Sequence, residues 1–457
     1  MNQLKPTPLW WRFAIGAAIV VFTTIACISQ EALGRRGQAA IGIFCFLGTA
    51  AMFSTNLRAL NRRTIIMGIL LQVTIALLVL RVEPVRDVFE WMGKVAKQFL
   101  AFSYAGASFV FGPLVDLQSD GKSLTLSKGG GIFAFVVLST IIFVSSFFSV
   151  LYFLGILQWV VKVFAKGMRY VMGTSGAETL SVAANVFMGQ TEAPLIVKPF
   201  IAGMTRSELL ALMIGGMAHI SGALMAVYIS FGADPVAIIA TSVMAAPASL
   251  YICKILIPET GHPETLGDVK VAVETTHANV IDAAAGGASE GMKLAINVAA
   301  MLIAFIAFIA MFDFLLAEGT HLFNRGFNTS YAPLSLKSIF AVLFSPVAVL
   351  MGVQGSDVPK MGELLGTKLV LNEFVAYLRF AEEFKPGLPN GMSPHAAFLA
   401  AFALTGFANF ASIGIQLGGI GGMAEQRRSD IARLGFRALL GGFLATLINA
   451  SIAGLII

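Results

Sequence analysis

The chain has 457 residues, of which 57% are hydrophobic and only 12% are charged, and its formal net charge is +6. A typical soluble domain has about 25% charged residues, so this composition excludes an ordinary soluble protein and indicates a polytopic membrane protein. The sequence contains no basic arm. We therefore assign the positive excess to loops that set membrane topology, and we expect no nucleic-acid partner.

The composition also argues against enzyme chemistry. The cysteines Cys27, Cys45 and Cys253 lie in separate apolar runs, without metal-ligand spacing or a disulfide framework. The sequence has no Walker motif and no nucleophile elbow. We expect neither catalysis nor a cofactor.

The N-terminal part predicts scaffold helices. Uncharged runs, each near the ~20 residues that span a bilayer, cover 13–30, 37–56 and 64–80. The amphipathic segment 82–97 is predicted to lie on the outer interface, and the glycine-rich segment 104–130 is predicted to be a loop. The basic loop NLRALNRRT places the N-terminus in the cytoplasm by the positive-inside rule.

The stretch 182–200 (VAANVFMGQTEAPLIVKPF) is apolar at both ends and polar in the middle. Gln190, Thr191 and Glu192 are consecutive there, flanked by a glycine and a proline. A carboxylate near the bilayer centre costs about 2.5–3.5 kcal/mol on insertion scales. Irregular backbone at that depth is tolerated only inside protein or facing a water-filled cavity. We therefore predict a re-entrant hairpin over 179–200 whose tip faces a cavity.

A second broken element lies in the C-terminal half. Residues 338–366 contain prolines and glycines in an apolar setting and predict a second hairpin that enters from the other side. A crossing with polar residues near its middle follows each hairpin, with His219 in the first and with Asn409 and Ser412 in the second. Paired broken elements in opposite orientation are typical of inverted-repeat transporters, whose site lies at the midplane.

Other uncharged runs predict further crossings. These and the two polar-centred crossings cover 131–161, 209–233, 236–253, 294–312, 396–424 and 438–457. The fold class predicted is an all-α polytopic membrane protein with about nine transmembrane helices, two re-entrant hairpins and broken helices in an inverted repeat. The charge pattern places the C-terminus outside. The predicted divisions are an extra N-terminal helix (1–36), scaffold and interfacial helices (37–130), a first hairpin repeat (131–290) and a second hairpin repeat (291–457).

Glu192 and Glu373 are the carboxylates that lie deepest in apolar sequence. One interpretation pairs them with Lys198 and Lys368 as buried ion pairs. The other is that they face a cavity and accept hydrogen bonds from a polar substrate, since ionisable residues inside membranes are functional by default.

Other residues leave two interpretations open. His219 is either a core histidine bonded to a backbone carbonyl or an ion or proton relay. Phe407 either packs between helices or stacks on an aromatic substrate. The polar residues Gln190, Thr191, Asn409 and Ser412 either bind substrate or hold helices together.

Several motifs resemble the concentrative nucleoside transporter family from about Arg36 to the C-terminus. They are GTSGAETLSVAANVF at 173–187, GQTEAP at 189–194, NVIDAAAGGASEG at 279–291, NEFVAY at 372–377, GFANFASI at 406–413 and RRSDIARLG at 427–435. The resemblance implies a homotrimer in the lipid bilayer, with one substrate site per protomer between two hairpins and two broken helices.

The resemblance also implies roles for single residues. The nucleobase would be bound by Gln190, Thr191 and Glu192. The ribose hydroxyls would be bound by Glu373, Asn409 and Ser412, and apolar contacts to the base would come from Leu224 and Phe407.

A sodium site is implied at Asn185 and the backbone of Met188, with His219 and the backbone of Ile220. Here the chain departs from the family, which usually has a small hydroxyl residue at 219. Sodium prefers oxygen ligands and imidazole suits softer metals, so the coupling ion is either sodium or a proton.

The function predicted is a symporter that imports nucleosides across a plasma membrane, the inner membrane in bacteria, driven by a sodium or proton gradient. The alternatives are a nucleobase or sugar carrier, and a nucleoside-gated channel or sensor.

Overall fold

The computed structural model describes residues 7–115, 133–265 and 277–457, and the regular structure in these ranges is entirely helical. Seven of the described helices are long and apolar enough to cross a membrane. This confirms an all-helical, multi-pass architecture. The count of nine crossings and the re-entrant course of the hairpins stay predictions.

The N-terminal helices begin and end near the predicted runs. They are α1 (Leu9–Ile28), α2 (Gln30–Met52), α3 (Arg62–Arg81) and α4 (Glu83–Phe111). Helix α4 is longer than the predicted interfacial segment, so the loop predicted from residue 104 is wrong up to residue 111. Its sequence continues without proline until Gly112, which adopts φ 55° and ends the helix. The rest of that predicted loop, from residue 116 to 130, lies outside the described residues.

The first hairpin repeat contains α5 (Phe133–Phe153), α6 (Ile156–Met172), α7 (Gly176–Asn185), α8 (Lys198–Ile201), α9 (Arg206–Ala218), α10 (Gly222–Ser230) and α11 (Pro235–Leu256). Helix α7 begins at a capping box formed by Ser175 and Glu178. The chain leaves the helix after Asn185 and resumes as a short 3₁₀ turn at Ala193–Val197. We call residues 186–192 the first tip.

The crossing predicted over 209–233 is two helices. Helix α9 ends before His219, and Ser221 starts α10 as an N-cap whose hydroxyl accepts the N–H of Leu224. We call residues 219–221 the first break. The predicted crossing is therefore divided at its polar middle, as the predicted broken helices require, although hydropathy adds up over both halves and does not register three residues of irregular backbone.

The helices from residue 280 onward are α12 (Val280–Phe327), α13 (Leu336–Leu350), α14 (Asp357–Val370), α15 (Glu373–Arg379), α16 (Pro394–Leu404), α17 (Phe410–Met423) and α18 (Arg428–Ile456), and α12 begins before the predicted second repeat (291–457). Helices α13 and α14 form the second helical hairpin. The uncharged run 396–424 is again two helices, separated at residues 405–409, which we call the second break. Gly406 adopts φ 135° there, a conformation open to glycine and strained for other residues.

Burial separates central helices from peripheral ones. The apolar windows of α11 and α18 are both 89% buried, whereas those of α1 and α12 are 6% and 17% buried. Helices α11 and α18 therefore lie at the centre of the helical bundle, and α1 and α12 expose apolar surface at its periphery.

A buried ion cluster fixes the start of the first hairpin. The Lys254 ammonium on α11 lies 2.6 Å from Glu178 and 3.5 Å from Glu259, and it also donates to the Ser207 hydroxyl at 3.0 Å. Lys254 and Glu178 have side-chain exposures of 5% and 1%. This cluster joins α7, α9 and α11 at the start of α7, the end of that helix away from the first tip.

Candidate functional site

One cavity of about 120 Å³ lies where the first tip, the second break, the start of α15 and one face of α12 meet. The residues predicted to bind substrate all line it, and they are Gln190, Thr191, Glu192, Leu224, Glu373, Phe407, Asn409 and Ser412. These residues come from both repeats and are far apart in sequence. The fold therefore brings the whole predicted set together.

The first tip presents polar atoms that its own structure does not satisfy. Gln190 donates from Nε2 to the Ser412 hydroxyl at 3.2 Å. Its Oε1 and the Oε2 of Glu192 are buried and have no hydrogen-bond partner among the described residues. Buried polar atoms normally find partners, so these two oxygens are suited to accept hydrogen bonds from a ligand.

Glu373 is held from two sides. The Tyr228 hydroxyl donates to its Oε1 at 3.0 Å, and Asn409 Nδ2 donates to its Oε2 at 2.9 Å. Asn409 also caps α17, because its Oδ1 accepts the N–H of Ser412 at 2.9 Å. Glu373 is the first residue of α15, where the helix dipole favours a negative charge.

The two ion pairs considered from sequence do not form. Lys368 instead donates to the Ala403 carbonyl at 2.7 Å and to the Thr446 hydroxyl at 3.0 Å. No ion pair joins Glu192 to Lys198 among the described residues. Both carboxylates therefore belong to the cavity wall, Glu373 with side-chain donors and Glu192 with an unpartnered oxygen.

Sequence reasoning missed the apolar wall of the cavity. Helix α12 supplies Leu294, Val298, Met301 and Leu302, whose spacing puts them on one helix face. That periodicity is visible in the sequence, but nothing local says what the face meets. Ser221, Asn372 and Phe374 were also missed.

The segment predicted as the second hairpin (338–366) contributes no residue to the cavity. None of the lining residues belongs to α13, α14 or the turn between them. The resemblance implied a site between two hairpins, and only the segment that follows α14, beginning with Asn372 and Glu373, reaches it.

The residues proposed for a cation surround the end of α7 and the first break. The side-chain Oδ1 of Asn185 is buried and has no partner among the described residues. The carbonyls of Met188 and Ile220, both in irregular backbone, accept no hydrogen bond from described residues. Three oxygens without donors suit a hard cation such as sodium, so this part of the set fits the ion.

His219 is fully buried and its ring is fixed. Nδ1 lies 2.7 Å from the carbonyl of Gly215, which can only accept, so we assign the proton to Nδ1. Nε2 is buried and has no partner among the described residues. The main-chain carbonyl of His219 accepts the N–H of Phe407 at 3.1 Å. The ring contact matches the core-histidine interpretation, and a relay role stays a prediction.

Three family models match nearly consecutive parts of the chain. "Na+ dependent nucleoside transporter N-terminus" matches residues 41–114, "Nucleoside recognition" matches 134–235, and "Na+ dependent nucleoside transporter C-terminus" matches 237–454. The cavity residues lie in the second and third of these matches.

Known proteins are similar over most of their length. An uncharacterized transporter of Haemophilus influenzae is 42% identical, covering 91% of this chain and 97% of that protein. Human sodium/nucleoside cotransporter 1 is 40% identical, covering 99% of this chain and 69% of that protein. The solved structure of CNTnw in an inward-facing substrate-bound state is 40% identical with a TM-score of 0.85, covering 92% of this chain and 97% of that one. The chain therefore belongs to the family of Na+-dependent nucleoside transporters.

Proposed function

We propose that this chain is a secondary active symporter that imports nucleosides, driven by a sodium gradient. One observation carries the proposal. The first tip and the second break line a single cavity, and the donor-free oxygens nearby are the side-chain Oδ1 of Asn185 at the end of α7, the carbonyl of Met188 in the first tip and the carbonyl of Ile220 in the first break. A transporter of this family carries out no catalysis, and the cavity needs only to bind and release its ligand.

The cavity matches the chemistry of a neutral nucleoside. In this proposal the unpartnered oxygens of Gln190 and Glu192 accept N–H groups of the base, and Thr191 adds a hydroxyl beside them. Leu224 and Phe407 supply apolar surface for the flat face of the base.

The ribose would lie at the opposite polar wall, where Glu373 accepts a hydroxyl and Asn409 and Ser412 complete the contacts. A site with fixed polar partners rejects analogues that lack the matching group, because its own groups are then left unpaired.

Coupling follows from the shared segment. Asn185 and Met188 would hold the cation, and Gln190 to Glu192 follow within a few residues along the same irregular backbone. A cation and a nucleoside that both order this segment stabilise the same state, so each raises the affinity for the other by the same factor. His219 adjoins this segment at the first break, where its ring contacts the Gly215 carbonyl. A proton is the alternative coupling ion, because an imidazole stands where the family usually has a hydroxyl.

The topology and assembly belong to the same proposal. We propose a homotrimer in the plasma membrane with two re-entrant hairpins, arranged as an inverted repeat of 131–290 and 291–457. The N-terminus is placed in the cytoplasm and the C-terminus outside on loop charge. The trimer rests on the family resemblance.

The deciding experiment is uridine uptake into proteoliposomes under a sodium gradient alone and under a proton gradient alone. We expect sodium to drive accumulation above the equilibrium ratio, and a sodium ionophore to abolish it. Accumulation under the proton gradient alone would replace sodium by the proton. Uptake that never exceeds equilibrium under either gradient would point to a channel or sensor. Competition by uracil or ribose but not by uridine would point to a nucleobase or sugar carrier.

A further inference from the structure

Glu373 is oriented by a residue that does not itself face the cavity. Tyr228 is fully buried and absent from the cavity lining, yet its hydroxyl donates to Glu373 Oε1 at 3.0 Å. Tyr228 lies on α10, one helical turn after the cavity residue Leu224. Its hydroxyl therefore contacts the carboxylate from the side away from the cavity.

The ring of Tyr228 is fixed independently of its hydroxyl. It stacks on Tyr377 with ring centroids 4.2 Å apart and an interplanar angle of 16°, and its edge meets Phe374 at 5.9 Å. Tyr377 lies one turn after Glu373 on α15, and its own hydroxyl is bonded to the Ala401 carbonyl at 2.9 Å and to Thr405 at 2.8 Å. Removing the Tyr228 hydroxyl would therefore leave the aromatic packing in place.

The two hydrogen bonds to Glu373 use part of the hydrogen-bonding capacity of its carboxylate and leave the rest free. An ionised carboxylate offers about four lone-pair positions, and Tyr228 and Asn409 occupy one on each oxygen. The remaining positions are left for groups in the cavity. Without the tyrosine donor, Oε1 would lose its side-chain partner among the described residues, and only Asn409 would hold the carboxylate by a side-chain hydrogen bond, so its terminal torsion would be less constrained.

We propose that Tyr228 is a positioning residue that aims Glu373 at a ribose hydroxyl and so sets the preference for ribonucleosides over analogues that lack these hydroxyls. The inference rests on the proposed function, because it assumes a nucleoside in the cavity. Tyr228 does not line the cavity, and it acts on the ligand through Glu373.

The test measures equilibrium binding of uridine and 2′,3′-dideoxyuridine to the purified full chain and to Tyr228→Phe. The variant keeps the ring and removes the hydroxyl. We expect the Kd of uridine to rise about tenfold, the factor for losing one hydrogen bond to a charged group. The Kd of the dideoxy analogue should change less than about twofold, since it lacks the 2′- and 3′-hydroxyls that Glu373 would accept.

Tyr251→Phe is the matched control. Tyr251 is equally buried, and its hydroxyl donates to Gln72 Oε1 at 2.7 Å, away from the cavity. We expect its uridine-to-dideoxyuridine ratio to match that of the natural protein. In a Glu373→Gln background, adding Tyr228→Phe should not weaken uridine binding further.

Equal losses for both ligands, or unchanged uridine binding, would overturn the positioning role. So would a Tyr228→Phe protein that does not fold when Tyr251→Phe does, because the hydroxyl would then be a stability element. Absence of uridine binding to the natural protein would overturn the proposed function itself, and this inference with it.

Discussion

The main-chain N–H of Phe407 donates a hydrogen bond of 3.1 Å to the carbonyl oxygen of His219, so the second break is joined directly to the first break. Phe407 lines the cavity, and His219 directly precedes Ile220, whose carbonyl is proposed for the cation. A single backbone contact thus links the substrate cavity to the candidate ion position. A substitution at either break should therefore disturb the backbone of both.

Gly406→Ala tests that junction. Gly406 has φ 135°, and a Cβ there would lie 3.0 Å from the carbonyl oxygens of Met217 and Ala218 at the end of α9. A residue forced into such a backbone conformation costs about 1–3 kcal/mol, and the two breaks would be pushed apart. We expect a lower thermal unfolding temperature in detergent and weaker uridine binding. Gly414→Ala is the control, because Gly414 lies in helix α17 and a Cβ there would have no other atom within 4 Å. A stable, fully binding Gly406→Ala would contradict the tight junction.

Glu373→Gln tests the proposed ribose contact. The amide keeps the shape of the side chain and removes the charged acceptor. A hydrogen bond to a charged group contributes about 1.5–3 kcal/mol, so uridine affinity should fall at least tenfold. Equilibrium binding to purified protein measures this, with Glu382→Gln, which lies outside the cavity, as the control. Unchanged uridine binding in Glu373→Gln would remove Glu373 from the site.

His219→Ser tests the coupling ion. Serine replaces the buried imidazole by a hydroxyl, and it also releases the Gly215 carbonyl from the ring. Since sodium prefers oxygen, we expect the half-saturating sodium concentration for uridine uptake to fall. His395→Ser, outside the cavity, serves as the control. Proton-driven uptake in the natural protein that changes to sodium-driven uptake in His219→Ser would instead identify His219 as the ion selector.

Lys254→Met tests the ion cluster below the first tip. Removing the ammonium leaves Glu178 and Glu259 without their cation, and breaking a buried pair costs about 3–5 kcal/mol. We expect a clear drop in thermal unfolding temperature. Lys337→Met removes a lysine whose pair with Glu383 is 43% and 40% exposed, where a pair contributes at most about 1 kcal/mol. Similar losses in both variants would mean that burial of the Lys254 cluster does not matter.

The cavity residues were predictable from the sequence because burying them is costly. Glu192 and Glu373 stand in apolar surroundings, where a carboxylate needs a functional reason or a partner. The three consecutive polar residues from Gln190 to Glu192 cannot all face one partner from a helix. The same physical argument thus located both sides of the cavity, with the family resemblance adding the roles.

Broken helices were predicted, but the bounds of the two breaks and the supporting contacts were not predictable. The first and second breaks lie in uncharged runs whose hydropathy is continuous. Tyr228 reaches Glu373 across 145 positions of sequence, so no local pattern reveals the contact. The second hairpin was predicted from its prolines and glycines, but its distance from the cavity depends on tertiary packing alone.

Helix α12 has 48 residues. At a rise of 1.5 Å per residue it is about 72 Å long, more than twice the ~30 Å hydrocarbon thickness of a bilayer. Its uncharged stretch, 294–312, is only about 28 Å long and matches that thickness, so both ends of the helix project beyond the hydrocarbon layer. Val298 and Met301, which wall the cavity, lie within this stretch. The charged residues on either side of it hold the apolar wall of the cavity at membrane depth.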